Sequence, residues 1–118
     1  MAHRVVIVDD HARFRRTARR ALERDGWTIV GEASDGEEAL RVVRGLEADI
    51  VVIDVGLPGM SGLEVARRVR EEMPELLVVV ISTQDSADYH ELAVAHGARG
   101  FLAKAELSGA ALAALISD

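Results

Sequence analysis

The strongest constraint on this chain is an alternation of two periodicities, repeated five times in 118 residues. Apolar, largely β-branched runs at residues 5–8, 28–30, 50–53, 76–81 and, more weakly, 100–103 are too short for helices and read as strands. They are apolar on both sides rather than alternating, the pattern of parallel strands covered on both faces. Segments of helical period lie between them. In the first, Phe14, Ala18, Ala21 and Leu22 share a face and Gly26 follows where a helix ends. Asp35 with Glu38, and Ser61 with Glu64, resemble capping boxes that start the second and third helices, the third carrying Leu63, Ala66, Val69 and Met73. A fourth helix is expected over about residues 86–96, closed by Gly97, and a fifth over about 107–116. Short connections between alternating strands and helices predict an α/β fold, a parallel sheet with helices on both faces.

The chain length suits one domain over residues 1–118, with no linker or repeat to divide it. Fourteen Lys and Arg against 20 Asp and Glu give a formal charge of −6. An acidic chain has no electrostatic basis for non-specific binding to nucleic acid or an anionic membrane. Without cysteine there is no disulfide, thiolate nucleophile or Cys-based zinc site. The first residues run straight into a short strand, with no signal core and no apolar run approaching about 18 residues, so a cytoplasmic protein with no membrane span is expected.

Ligands in open parallel sheets bind beyond the carboxyl ends of the strands. The strand ends here read Asp9-Asp10, Asp54, Ser82 and Lys104, the last being the only lysine among 14 strong cations. An Asp after a strand is often only a turn former or helix N-cap, and Asp10 before the first helix fits that role. Taken together, three neighbouring carboxylates would raise one another's pKa unless a cation compensated. Carboxylate and carbonyl oxygens suit Mg²⁺, which points to phosphoryl chemistry, with a carboxylate as nucleophile or ligand and Lys104 and Ser82 on the phosphoryl oxygens. No phosphate-binding glycine loop of the nucleotide-binding kinds is present.

These residues resemble the receiver domain of two-component response regulators over the whole chain. The resemblance rests on Asp9-Asp10, Asp54 after its strand, Leu57-Pro58-Gly59-Met60-Ser61-Gly62, Ser82, and Gly100-Phe101-Leu102-Ala103-Lys104. Asp10-His11, Gly31-Glu32-Ala33 and Gly97-Ala98-Arg99 are similar to receivers of helix-turn-helix transcription factors of the LuxR, NarL and FixJ kind. The resemblance implies a flavodoxin-like (CheY-like), doubly wound, five-stranded parallel sheet of order 2-1-3-4-5 with five helices. It implies that Asp54 accepts a phosphoryl group from the phosphohistidine of a sensor histidine kinase. Mg²⁺ (or Mn²⁺) would be held by Asp9, Asp10, Asp54 and the backbone carbonyl of Gly56, with Lys104 and Ser82 on the phosphoryl oxygens. Ser82 and Phe101 would form the switch; Gly56, Thr83 and Gln84 would flank the phosphoryl group. Such a domain catalyses only its own phosphorylation and dephosphorylation and is not otherwise an enzyme. Its output would be transcription, the 118 residues being either the complete protein or the receiver excised from a longer regulator with a C-terminal DNA-binding domain, with homodimerisation on phosphorylation as a further implication.

The chain departs from the family pattern in three ways. Around the phosphoryl group, Gly56 offers a carbonyl but no side chain two positions past Asp54, Gln84 is two past Ser82, and Thr83 stands where Ala or Gly is usual. Ala105 replaces a common proline, and a cis bond there would cost about 2.5–4 kcal/mol. Phe101 lacks the tyrosine hydroxyl, which leaves only steric switching. Two other functions compete with the switch. One is a receiver-like interaction module that is not phosphorylated. The other is an aspartyl-phosphate phosphatase of the haloacid-dehalogenase type, which would need an acid where Gly56 stands and a longer chain for its cap. Arg13, Arg15, Arg16, Arg19, Arg20 and Arg24 read first as a solvated helix face, then as a kinase-docking or dimer surface. His11 reads as an exposed residue of the first helical turn, since Mg²⁺ does not favour imidazole. His90 and His96 read as helix-surface residues, and Trp27 and Tyr89 as aromatics packing at the edges.

Overall fold

The third apolar run is buried at every position, as a central strand covered on both faces requires. A computed structural model describes residues 3–84 and 87–117. Its strands are β1 Arg4–Val8, β2 Thr28–Ala33, β3 Ile50–Asp54, β4 Leu77–Ser82 and β5 Gly100–Ala103. The helices are α1 Ala12–Arg24, α2 Gly36–Gly45, α3 Gly62–Glu72, α4 Ala87–Ala95 and α5 Gly109–Ile116, with a 3-10 turn over Lys104–Glu106. All neighbouring strands pair in parallel, in the order β2-β1-β3-β4-β5. The expected topology is therefore observed.

Alternation along the strands divides the apolar side chains between two cores. Val6, Val8, Val51, Ile53, Val78, Val80 and Phe101 pack with α2 and α3. On the opposite face, Val5, Ile7, Ile50, Val52, Val79 and Ile81 pack with Ala18 and Leu22 of α1 and Leu112 of α5. Both cores run under the strand ends, so the site above them rests on packed, fully buried residues. Among the described residues no helix is long and apolar enough to cross a membrane.

Local differences from the expected boundaries have physical causes. β2 runs on to Ala33 because Gly31, Glu32 and Ala33 pair with Val6, Ile7 and Val8. An edge strand needs no continuous apolar run to do this. Arg15 Nε lies 3.0 Å from Glu32 Oε1 and Arg19 NH1 2.5 Å from Oε2, so these two arginines brace α1 against β2 rather than lying on a solvated face. Arg13, Arg16, Arg20 and Arg24 are exposed. Val65 is buried on α3 with Ala66 and Val69, whereas Leu63 and Met73 are half-buried. α5 starts at Gly109 because residues 104–106 form their own turn and Ser108 Oγ caps the helix, accepting from Ala111 N at 3.0 Å. α4 covers Ala87–Ala95 of the expected span; Ser86 lies outside the described residues.

The cap of α2 is displaced from the capping-box pattern. Asp35 Oδ1 accepts from Glu38 N at 2.8 Å, but Glu38 Oε1 reaches back to Ser34 N at 2.6 Å instead of to Asp35. Asp35→Ala is expected to cost about 1 kcal/mol in urea unfolding, the usual loss for an N-cap acceptor.

Candidate functional site

Four of the five parallel strands, all but β2, deliver one polar residue to the same edge. Asp9 follows β1, Asp54 ends β3, Ser82 ends β4 and Lys104 follows β5. Asp9 is fully buried, and its backbone N–H donates to Ala33 O at 3.0 Å. Its Oδ1 accepts from His11 N at 2.8 Å. Its Oδ2 lies 2.5 Å from Lys104 Nζ, an ion pair without the alignment of a directed hydrogen bond, so a buried acceptor stays open to a further partner. Lys104 Nζ also lies 3.4 Å from Asp54 Oδ2 and 4.6 Å from the centre of the Phe14 ring, a cation–π position. The lysine is held from three sides although no proline follows it. The Lys104–Ala105 bond is trans, and the 3-10 turn after β5 carries the ammonium inward.

Burial pushes the Asp54 carboxyl above the ordinary range, and the charge of Asp9 pushes it further. Lys104 and the backbone N–H of Gly56 oppose both effects without cancelling them. Asp9, Asp10, His11 and Asp54 each offer a ligand atom, all within 4.8 Å of one another. This donor set fits a divalent cation: carboxylate oxygens in charge excess, one of them buried without a directed hydrogen bond, is what a hard cation relieves. Asp10 is not the N-cap of α1. That position belongs to His11, which makes no side-chain cap bond.

A cleft of about 280 Å³ opens above the acids, lined by His11, Asp54, Val55, Gly56, Ser82, Thr83, Gln84, Tyr89 and Lys104. A wider one of about 470 Å³ lies at the opposite sheet edge, bounded by His3, Leu46, Glu47, Asp49, Met73 and Glu75, and no lysine or arginine lines it. Converging chemistry, not volume, marks the site. A Cβ on Gly56 would stand 3.8 Å from Asp54 Oδ2, an ordinary van der Waals contact, so glycine leaves this side of the carboxylate without a side chain beside it. Ser82 is buried and its Oγ accepts from Gln84 N at 3.1 Å.

The structure thus brings together Asp9, Asp10, Asp54, Gly56, Ser82, Thr83, Gln84 and Lys104, as expected from the sequence. Phe101 is not at the cleft. It is buried in the core, stacked on Tyr89 at 5.8 Å and met edge-on by His90 at 4.8 Å. Tyr89 lines the cleft and touches Phe101, so it joins the two places. His90 is exposed, as the sequence predicts, but its ring also meets Phe101, and the link from Tyr89 to Phe101 is not legible in the sequence. No local pattern marks either side chain. His11 is exposed, as expected, yet its ring faces both Asp9 and Asp10.

The family model "Response regulator receiver domain" matches residues 5–116. A Pseudomonas aeruginosa protein named as a transcriptional regulator is 43% identical over 103 residues, covering 87% of this chain and 50% of that protein. Response regulator GacA of Pseudomonas viridiflava is 36% identical over 114 residues, covering 96% of this chain and 51% of GacA. The chain therefore spans about half the length of these curated relatives. Among solved structures, the signal receiver domain of the response regulator NarL from Mycobacterium tuberculosis superposes with a TM-score of 0.87 at 35% identity, covering 99% of this chain and 98% of that one. CheY from Borrelia burgdorferi, in a complex with CheX, BeF3 and Mg, superposes with a TM-score of 0.86 at 26% identity, covering 97% of this chain and 86% of that one.

Proposed function

This chain belongs to the response regulator receiver domain family, and on that premise we propose that Asp54 is its phosphoacceptor, charged by the phosphohistidine of a sensor histidine kinase. A carboxylate oxygen of Asp54 attacks phosphorus, the P–N bond breaks, the imidazole of the kinase leaves with the bonding pair, and a mixed anhydride remains on Asp54. The observation that carries this reading is the pairing of Asp54 Oδ2 with Lys104 Nζ at 3.4 Å beside the buried Asp9. It places a nucleophile and a compact cation on one group. Lys104 binds the oxygens of the arriving phosphoryl group, and Ser82 offers its hydroxyl from the neighbouring strand. Gly56, Thr83 and Gln84 flank that group and set the access of water to it.

Asp9, Asp10, Asp54 and the Gly56 carbonyl would hold Mg²⁺ or Mn²⁺, which when bound offsets the negative charge gathered on the transferring group. The Mg and BeF3 named with the Borrelia CheY support this assignment. Movement of Ser82 toward the phosphoryl oxygens would be sensed by Phe101, with Tyr89 between the cleft and that ring. Residues 1–118 act as the receiver of a longer, cytoplasmic DNA-binding regulator that controls transcription and dimerises on phosphorylation. The half-length coverage of the relatives supports that architecture.

The test is incubation with acetyl phosphate and Mg²⁺ followed by intact mass. A gain of about 80 Da, one phosphoryl group, is expected in the parent and none in Asp54→Asn. An unmodified parent at every time point would favour a receiver fold used only for binding.

A further inference from the structure

His11 supplies the N-cap residue of α1 and directly follows the acidic pair. Its ring is held without packing, since the side chain is 68% exposed. What fixes the ring is the site. Nδ1 stands 3.2 Å from Asp9 Oδ1 and 3.1 Å from Asp10 Oδ1, and the backbone N–H of the same residue donates to Asp9 Oδ1 at 2.8 Å.

Those separations carry chemical information. Two ligands at right angles on one ion, with bonds of about 2.1 Å, lie about 3.0 Å apart; at the tetrahedral angle they lie about 3.4 Å apart. Both Nδ1 separations fall in that interval. The imidazole nitrogen thus stands where a ligand adjacent to Asp9 and Asp10 would stand, and the ligand atoms of Asp9, Asp10, His11 and Asp54 all lie within 4.8 Å of one another. The acids alone make a hard, all-oxygen site. A neutral imidazole adds a borderline donor, which matters little to Mg²⁺ and much to later first-row cations.

We propose that His11 Nδ1 is a further ligand of the divalent-cation site and extends its range from Mg²⁺ to Mn²⁺, Co²⁺, Ni²⁺ and Zn²⁺. The proposal rests on the reading of Asp9, Asp10 and Asp54 as that site and assigns its selectivity. The competing role for the ring is a hydrogen bond from Nδ1 to the same two carboxylates, which would affect every cation alike. Because the ring is largely exposed, His11→Gln removes the imidazole without opening the core.

Pulsed electron paramagnetic resonance on Mn²⁺-loaded protein reads the ligand directly. The parent is expected to show imidazole ¹⁴N coupling, and His11→Gln is expected to lose it while still binding Mn²⁺. By calorimetry, Ni²⁺ affinity should fall about tenfold or more in His11→Gln, and Mg²⁺ affinity should change less than about twofold. Bound Mn²⁺ with no nitrogen coupling would overturn the role of His11 and leave the acidic site standing. Equal losses for Ni²⁺ and Mg²⁺ would do the same in favour of the hydrogen-bonding role. A parent that binds no Mn²⁺ at all would overturn the cation site itself, and this proposal with it.

Discussion

With Lys104 replaced by methionine, the metal-free receiver is expected to unfold about 3–5 kcal/mol more easily at neutral pH, the usual cost of removing one partner from a buried ion pair. The ammonium is 2.5 Å from Asp9 Oδ2 and 3.4 Å from Asp54 Oδ2, on a side chain only 10% exposed. Methionine retains most of the apolar stem beside Phe14, so packing changes little and the loss is electrostatic. The direction of the pH effect follows. Asp54 already titrates above its ordinary range because of burial and Asp9, and Lys104 is one of the groups pulling it back. Removing that pull raises it further. A carboxyl whose folded pKa exceeds its unfolded value near 3.9 contributes most stability below that value and loses it as pH rises through the folded pKa. Lys104→Met should therefore regain stability as pH falls from 7 toward 4, more steeply than the parent. The Lys104→Met/Asp54→Asn double variant should lose that added slope. Mg²⁺ should also recover part of the loss, since a ligand of the folded state stabilises by mass action. Urea unfolding followed through Trp27, the single tryptophan, reads all three. A midpoint that ignores both pH and Mg²⁺, at a stability within about 1 kcal/mol of the parent, would mean that Lys104 is dispensable to the charge balance of the pocket.

The reach of the sequence differs between residues for reasons visible in the fold. β1, β3 and β4 are legible because burial on both faces forces continuous apolar runs, and each points its terminal polar residue to one edge. Asp9, Asp54 and Ser82 follow from that rule once the sheet is parallel, and Lys104 follows from the weaker run of the edge strand β5. The last half of β2 does not, because an edge strand carries Gly31 and Glu32 and draws its support from Arg15 and Arg19 across the chain. Side-chain direction is harder still. Whether His11 faces water or Asp10 depends on its rotamer at the N-cap of α1, and the spacing of residues is the same in either case. Tyr89 meets Phe101 only because α4 packs over β5, a tertiary contact between positions with no shared periodicity.

Gly62→Ala tests how closely the backbone itself holds the acceptor. Ser61 explains where α3 starts, its Oγ accepting from Glu64 N at 3.3 Å, but the next residue has a separate role. Gly62 N donates to Val55 O at 3.1 Å, which lays the first turn of α3 against the end of β3. A Cβ there would stand 2.0 Å from Asp54 O, 2.7 Å from Asp54 C and 3.0 Å from Val55 Cα. All three are backbone atoms, so no rotamer change relieves the overlap, and either α3 retreats or the Asp54–Val55 peptide moves. Overpacking usually costs 1–3 kcal/mol, and a clash confined to main chain belongs at the upper end, about 3 kcal/mol. The displaced peptide is that of Asp54 itself, so phosphorylation by acetyl phosphate should slow together with the loss of stability. Gly45→Ala is the control: it also lies in a helix, a Cβ there meets nothing within 4 Å, and it is expected to leave stability unchanged or raise it by about 0.4–1 kcal/mol. If Gly62→Ala unfolds at the parent's urea midpoint and is phosphorylated at the parent's rate, α3 is free to move relative to β3. The position of Asp54 would then depend on its side-chain partners, Lys104 above all, rather than on the main chain beneath it.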